Sequence, residues 1–142
     1  MLFTDIVDST KLAERLEAEV LGDVLTRYFA AMRVCIEEHG GTIERFIGDA
    51  ITAVFGIPIV LEDDAARAVG AATDMRTALA SLNEQLHWEH GIRIKSRTGI
   101  NTGEVIAADR HAKRTLPLGD TPRVAARLEQ SAQPGEVLVF HT

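Results

Sequence analysis

Two segments rich in β-forming residues, 42–47 and 50–55, are separated only by Gly48-Asp49. Two residues suffice for a tight hairpin, whereas a parallel return needs a crossover of about a dozen or more. The pair is therefore antiparallel, and Asp49 sits at its tip. Apolar residues recur at helical spacing on both sides of it. Upstream, Leu21, Leu25, Tyr28, Phe29, Met32, Cys35 and Ile36 form one stripe, which Gly40-Gly41 stops. Downstream, Ala68, Ala72, Met75, Leu79, Leu82 and Leu86 form a longer one, with Glu62-Asp63-Asp64 near its start and Gly91 near its end.

The flanks extend this alternation. Leu2 to Val7 reads as an apolar strand ended by Asp8-Ser9-Thr10, where Ser9 or Thr10 is placed to cap a helix carrying Leu12 and Leu16. Ile92, Ile94, Thr98 and Ile100 share one strand phase, and Asn101-Thr102-Gly103 is expected to turn the chain into a second hairpin through Val105-Ile106-Ala107. Thr121-Pro122 reads as a cap followed by proline at the first helical position, with Val124, Ala125 and Leu128 on the apolar side; Val137 to Phe140 is a last strand. The order predicts an α+β fold, a largely antiparallel sheet covered by helices. The 142 residues fit a single core, so residues 1–142 are read as one domain. Both ends fall inside apparent strands, and the chain is expected to be a fragment of a longer one, its sheet incomplete at both ends.

Composition removes several classes of function. A net charge of −6 and a pI near 5.3 argue against nucleic-acid or anionic-membrane partners. No apolar run approaches the roughly 18–20 residues of a membrane span, and no secretory leader is recognisable. Cys35 is the only cysteine, so no internal disulfide forms, and no Cys/His cluster suggests zinc. A cytoplasmic location without membrane contact in this segment is expected.

Three features carry chemistry. Asp5 interrupts an apolar strand, where a carboxylate needs a cation or several donors. If that strand neighbours the hairpin, Asp5 and Asp49 converge, and hard oxygens of this kind suit magnesium or manganese with substrate phosphates. The competing reading makes Asp49 a turn residue and pairs Asp5 with an arginine. Ser9-Thr10 opens a helix whose free N–H groups suit phosphate, or are merely capped. Arg123 and Arg127, four apart, project from one face near the start of the last helix. A cation there opposes the helix dipole unless an anion is near; the competing reading is a solvated pair with Arg123 touching Asp120.

Four stretches then match a known pattern in order: Phe3-Thr4-Asp5-Ile6-Val7-Asp8-Ser9-Thr10, Arg45-Phe46-Ile47-Gly48-Asp49-Ala50, Arg97-Thr98-Gly99-Ile100-Asn101-Thr102-Gly103-Glu104-Val105, and Leu118-Gly119-Asp120-Thr121-Pro122-Arg123-Val124-Ala125-Ala126-Arg127-Leu128. Together they resemble the class III adenylate/guanylate cyclase catalytic domain. The resemblance implies a ferredoxin-like cyclase domain acting as a homodimer or cyclase heterodimer, with the active site at the interface. It implies that Asp5 and Asp49 bind two Mg2+ or Mn2+ ions, that the Ile6 carbonyl assists, and that the turn at Ser9 and Thr10 receives phosphates. The substrate would be a nucleoside triphosphate, ATP ahead of GTP, closed to a 3′,5′-cyclic nucleotide with loss of pyrophosphate.

The same resemblance locates departures. Arg45 stands where a base-reading lysine is usual, and Leu116 stands where an acidic or polar base-reading residue is expected. Arg123 occupies the position of a ribose-orienting asparagine, Asp8 that of a commoner glycine, and Arg127 retains the transition-state arginine. The alternative is a degenerate cyclase domain serving as a nucleotide-responsive or dimerising module. A diguanylate cyclase is disfavoured, because Ile47-Gly48-Asp49-Ala50-Ile51 lacks that family's Gly-Gly-acidic-Glu-Phe loop.

Overall fold

The computed structural model describes residues 1–56, 63–102, 106–107, 117–118 and 120–141. Its elements run β1 (Leu2–Ile6), α1 (Ser9–Arg15), α2 (Ala18–Glu38), β2 (Thr42–Ile47), β3 (Ala50–Val54), α3 (Asp64–His90), β4 (Ser96–Thr102), β5 (Ile106–Ala107), β6 (Pro117–Leu118), α4 (Asp120–Ser131) and β7 (Val137–His141). The main sheet has the order β2-β3-β1-β4-β7. Every pairing in it is antiparallel except β4 with β7, which is parallel. The fold is thus α+β with a largely antiparallel sheet, as the element order predicts.

Alternation along the central strands separates two faces. Leu2 and Ile6 of β1 and Ile100 of β4 join Tyr28, Met32 and Ile36 of α2 and Met75, Leu82 and Leu86 of α3 in one apolar core. Beneath the site described below, the buried Thr4 hydroxyl reaches the Arg97 carbonyl at 3.1 Å and the Thr98 hydroxyl at 2.9 Å, fixing β1 against β4. The other face belongs to α4. Gly99 makes its close approach possible: a Cβ there would collide with the Ala125 carbonyl and the Glu129 backbone nitrogen. Neither obstacle is a side chain that can swing aside, so Gly99→Ala is expected to cost about 3 kcal/mol of stability. A denaturant titration of the variant checks this.

Both glycine-based stops hold. Gly40 lies at φ 82°, and the Gly40 and Gly41 amides donate to the Glu37 and Ile36 carbonyls at the end of α2. Gly91, at φ 67°, ends α3.

Four expectations need correction. Ile92 and Ile94 are buried but precede β4, because the Asn83 side chain stands in for a strand: its amide oxygen and nitrogen bond the Ile94 N–H and C=O, each at 2.8 Å. Ile106–Ala107 does not return along β4. It pairs with Pro117–Leu118 in a separate two-stranded sheet, since β1 and β7 already occupy both edges of β4. Helix α1 begins after Asp8, and Leu16 is its C-terminal cap, not a residue inside it. Helix α4 begins at Asp120, so Thr121 and Pro122 fall within its first turn. Glu62, Gly103, Glu104, Val105, Leu116 and Gly119 lie outside the described residues.

Candidate functional site

The Thr4–Ile51 pairing brings the Gly48-Asp49 turn beside the end of β1. Asp49 Oδ2 accepts the Ile6 N–H at 3.0 Å, so one carboxylate grips the residue directly after the other. Gly48 supplies the left-handed conformation, φ 59°, that a two-residue turn needs.

Asp5 lies opposite Arg97 in the β1–β4 register, which puts both side chains on the α4 face. Arg97 Nε donates to Asp5 Oδ1 at 3.2 Å. The same Nε lies 2.6 Å from Glu129 Oε1. This second contact is not an aligned hydrogen bond, since Glu129 Oε1 accepts none. Glu129 is 1% exposed and Asp5 19%. Burial first, and then the adjacent Asp5, push the Glu129 carboxyl up to about 8, while Arg97 pulls the other way. The competing reading of Asp5 was therefore right about an arginine partner.

Neither residue of this pair was singled out in the sequence. Arg97 sat within a matched motif without a role. The usable signal for Glu129 was its position four after Ala125, an acidic residue on the buried stripe of α4.

The other candidates lie elsewhere. Ser9 opens α1 and Thr10 is exposed, yet neither caps it; the N-cap is Asp8, with no side-chain cap bond. Asp8, at φ 56°, is the sole non-glycine in the left-handed region among the described residues, which fits a position where glycine would be commoner. Arg45 is on the outer strand β2, and its Nε bonds both Glu44 carboxylate oxygens, at 2.7 and 2.9 Å. Arg123 and Arg127 are exposed on α4, away from the buried Ala125 and Glu129. Within one chain Asp49 is thus bonded to the backbone of the residue that follows Asp5, while Arg123 and Arg127 are exposed on α4.

The donors fit hard divalent cations: carboxylate oxygens, with Asp5 already holding a cationic side chain. A second cluster, Asp23, Glu89 and His90, is close enough to ligate. There Arg27 already bonds both Asp23 and Glu89 on the open surface, an ion-pair network needing no metal.

Comparison with known proteins places the chain in a family. The family described as the adenylate and guanylate cyclase catalytic domain matches residues 1–142. Adenylate cyclase 1 of Rhizobium meliloti is 31% identical over 131 residues, covering 90% of this chain and 20% of that protein. The adenylyl cyclase CyaB from P. aeruginosa superposes with a TM-score of 0.89 at 33% identity, over 97% of this chain and 74% of that one. The guanylyl cyclase Cya2 does so with a TM-score of 0.88 at 33% identity, over 97% and 72%. The chain spans about a fifth of the length of the Rhizobium relative, and its likeness to adenylyl and guanylyl neighbours is equal in identity.

Proposed function

Because the chain belongs to the adenylate and guanylate cyclase catalytic domain family, we propose that it supplies half of a composite site converting a nucleoside triphosphate to its 3′,5′-cyclic nucleotide and pyrophosphate. ATP stands ahead of GTP as substrate, and a second cyclase domain, identical or related, completes the site in the cytoplasm. The observation that carries this reading is the Asp49 carboxylate bonded to the Ile6 N–H directly beside Asp5.

In this reading Asp5, Asp49 and the Ile6 carbonyl hold two Mg2+ or Mn2+ ions. Bound there, the ions would supply positive charge against the phosphate oxygens and would ease loss of the ribose 3′-hydroxyl proton. The turn at Ser9 and Thr10 offers backbone N–H groups to the phosphates. From the partner protomer, Arg127 stabilises charge as the 3′-oxygen attacks the α-phosphate in line. The new P–O bond forms as the α–β bond breaks, pyrophosphate leaves, and the hydroxyl proton passes to water. Arg123 replaces the usual ribose-orienting amide with a charged fork. Arg45 and Leu116 stand at the base-reading positions that the family resemblance implies, and of these two side chains only that of Arg45 offers hydrogen bonds, all as donor.

A second reading has one observation in its favour: Asp5 is already neutralised by Arg97. A domain so closed would act as a nucleotide-responsive or dimerising module. Product identification separates the two. Full-length protein incubated with ATP or GTP, under Mg2+ and Mn2+ separately, is expected to yield cyclic nucleotide by mass spectrometry. Discrimination between the bases should be weak, within about tenfold, because Leu116 offers no acceptor for the adenine amino group. Absence of any cyclic product with bound nucleotide would select the module.

A further inference from the structure

In a regular strand neighbouring side chains point to opposite faces, so Glu44 and Arg45 of β2 should not meet. Here they do: Arg45 Nε donates to both Glu44 carboxylate oxygens, at 2.7 and 2.9 Å. The register explains the contact. Ile43 pairs with Ala53 and Arg45 with Thr52, which leaves Glu44 as the extra residue of a β-bulge. A bulge bends its strand locally and re-aims a side chain.

Glu44 is thereby turned inward. Its side chain is 3% exposed, against 54% for Arg45. The hydroxyl of the buried Thr52, on the paired strand, donates to Glu44 Oε2 at 2.5 Å and lies 3.4 Å from the Arg45 carbonyl. A sealed carboxylate bonded from two sides has little freedom to move, and leaving it without its cation would be costly. Glu44 is therefore the fixed member of the pair, and it orders Arg45. An exposed arginine otherwise samples many rotamers and loses that freedom when a ligand binds. Because the bond is made through Nε, it does not use the four N–H groups of the terminal nitrogens.

We infer that Glu44, seated in the bulge and bonded by Thr52, is a positioning residue that holds the Arg45 guanidinium ready for the base of a nucleoside triphosphate. This rests on the reading of Arg45 as a base-reading residue. Glu44 does not touch the nucleotide, since both its oxygens are engaged and its side chain is buried. Its contribution is preorganisation: the fork is ordered before the ligand arrives, so binding costs less side-chain freedom. The effect falls on the base and leaves the triphosphate alone.

Calorimetry on the full-length protein with Mn2+ tests this, comparing 3′-deoxy-ATP and 3′-deoxy-GTP, which cannot cyclise, with inorganic tripolyphosphate, which has no base. Glu44→Gln keeps the shape of the side chain but removes the carboxylate. It is expected to weaken both nucleotides about tenfold and to leave tripolyphosphate within about twofold of the wild type. Thr52→Val loosens Glu44 without removing it and should shift both nucleotides the same way by about threefold. It keeps the test open if thermal melts show that Glu44→Gln does not fold. In an Arg45→Ala background Glu44→Gln should add nothing, because a residue acting through Arg45 has no effect once Arg45 is gone. Parallel weakening of tripolyphosphate, or a further loss in the double variant, would mark a purely structural role and overturn the inference. Arg45→Ala also separates two failures. If it leaves nucleotide affinity unchanged, the base-reading assignment of Arg45 fails; if it weakens nucleotide binding while Glu44→Gln and Thr52→Val match the wild type, only the positioning role is lost.

Discussion

Asp5→Asn and Asp49→Asn are each expected to lower cyclic-nucleotide formation by about 10³-fold or more, a loss of about 4 kcal/mol of transition-state stabilisation. Asparagine conserves shape at both positions. At 49 its amide oxygen can still accept the Ile6 N–H that Asp49 takes at 3.0 Å, so the hairpin stays docked on β1. At 5 its oxygen can still accept from Arg97. What disappears is the negative charge that gives a carboxylate its strong hold on a divalent cation. Turnover measured beside circular dichroism isolates that change, and a variant that folds and turns over like the wild type would remove its residue from the metal site.

Arg127→Ala is expected to lower kcat by about 10²–10³ while shifting nucleotide affinity little, the pattern of an interaction made chiefly in the transition state. The substitution is clean, because Arg127 lies exposed on α4 while Ala125 and Glu129 carry that helix's contact with β4. Its neighbour separates role from charge. Arg123→Asn restores the usual ribose-orienting amide and should maintain or raise turnover. A large loss there would show that Arg123 had acquired a catalytic role of its own. Steady-state kinetics on both variants decides.

How much of this was legible depended on how local the determinant was. The Gly48-Asp49 hairpin, the Gly40-Gly41 stop and the α3 stripe are each fixed by residues within a few positions of one another. The start of β4 was missed because Asn83, an exposed-looking polar residue in a helix, satisfies the Ile94 backbone from outside the sheet. The partner of β5 was missed because β7, remote in sequence, fills the edge of β4 that a hairpin would have used. The placement of Asp49 at the end of β1 followed from the turn once β1 was assumed adjacent. The Arg97–Glu129 pair did not, since it needs both the register of β1 on β4, 92 residues apart at Asp5 and Arg97, and the closeness of α4 that Gly99 permits. Asp8 was noted as a substitution, but only its left-handed backbone explains why glycine suits that position.

The central claim is that two protomers share each site, one giving Asp5 and Asp49 and the other Arg127. Mixing full-length Asp5→Asn protein with full-length Arg127→Ala protein tests it most directly, with heterodimers isolated through two different affinity tags. Each variant alone should be nearly inactive. In the heterodimer one of the two interfacial sites combines an intact carboxylate pair with an intact Arg127, so recovery towards half of wild-type turnover is predicted. Isolated heterodimers that form no more cyclic nucleotide than either variant alone would contradict the shared site.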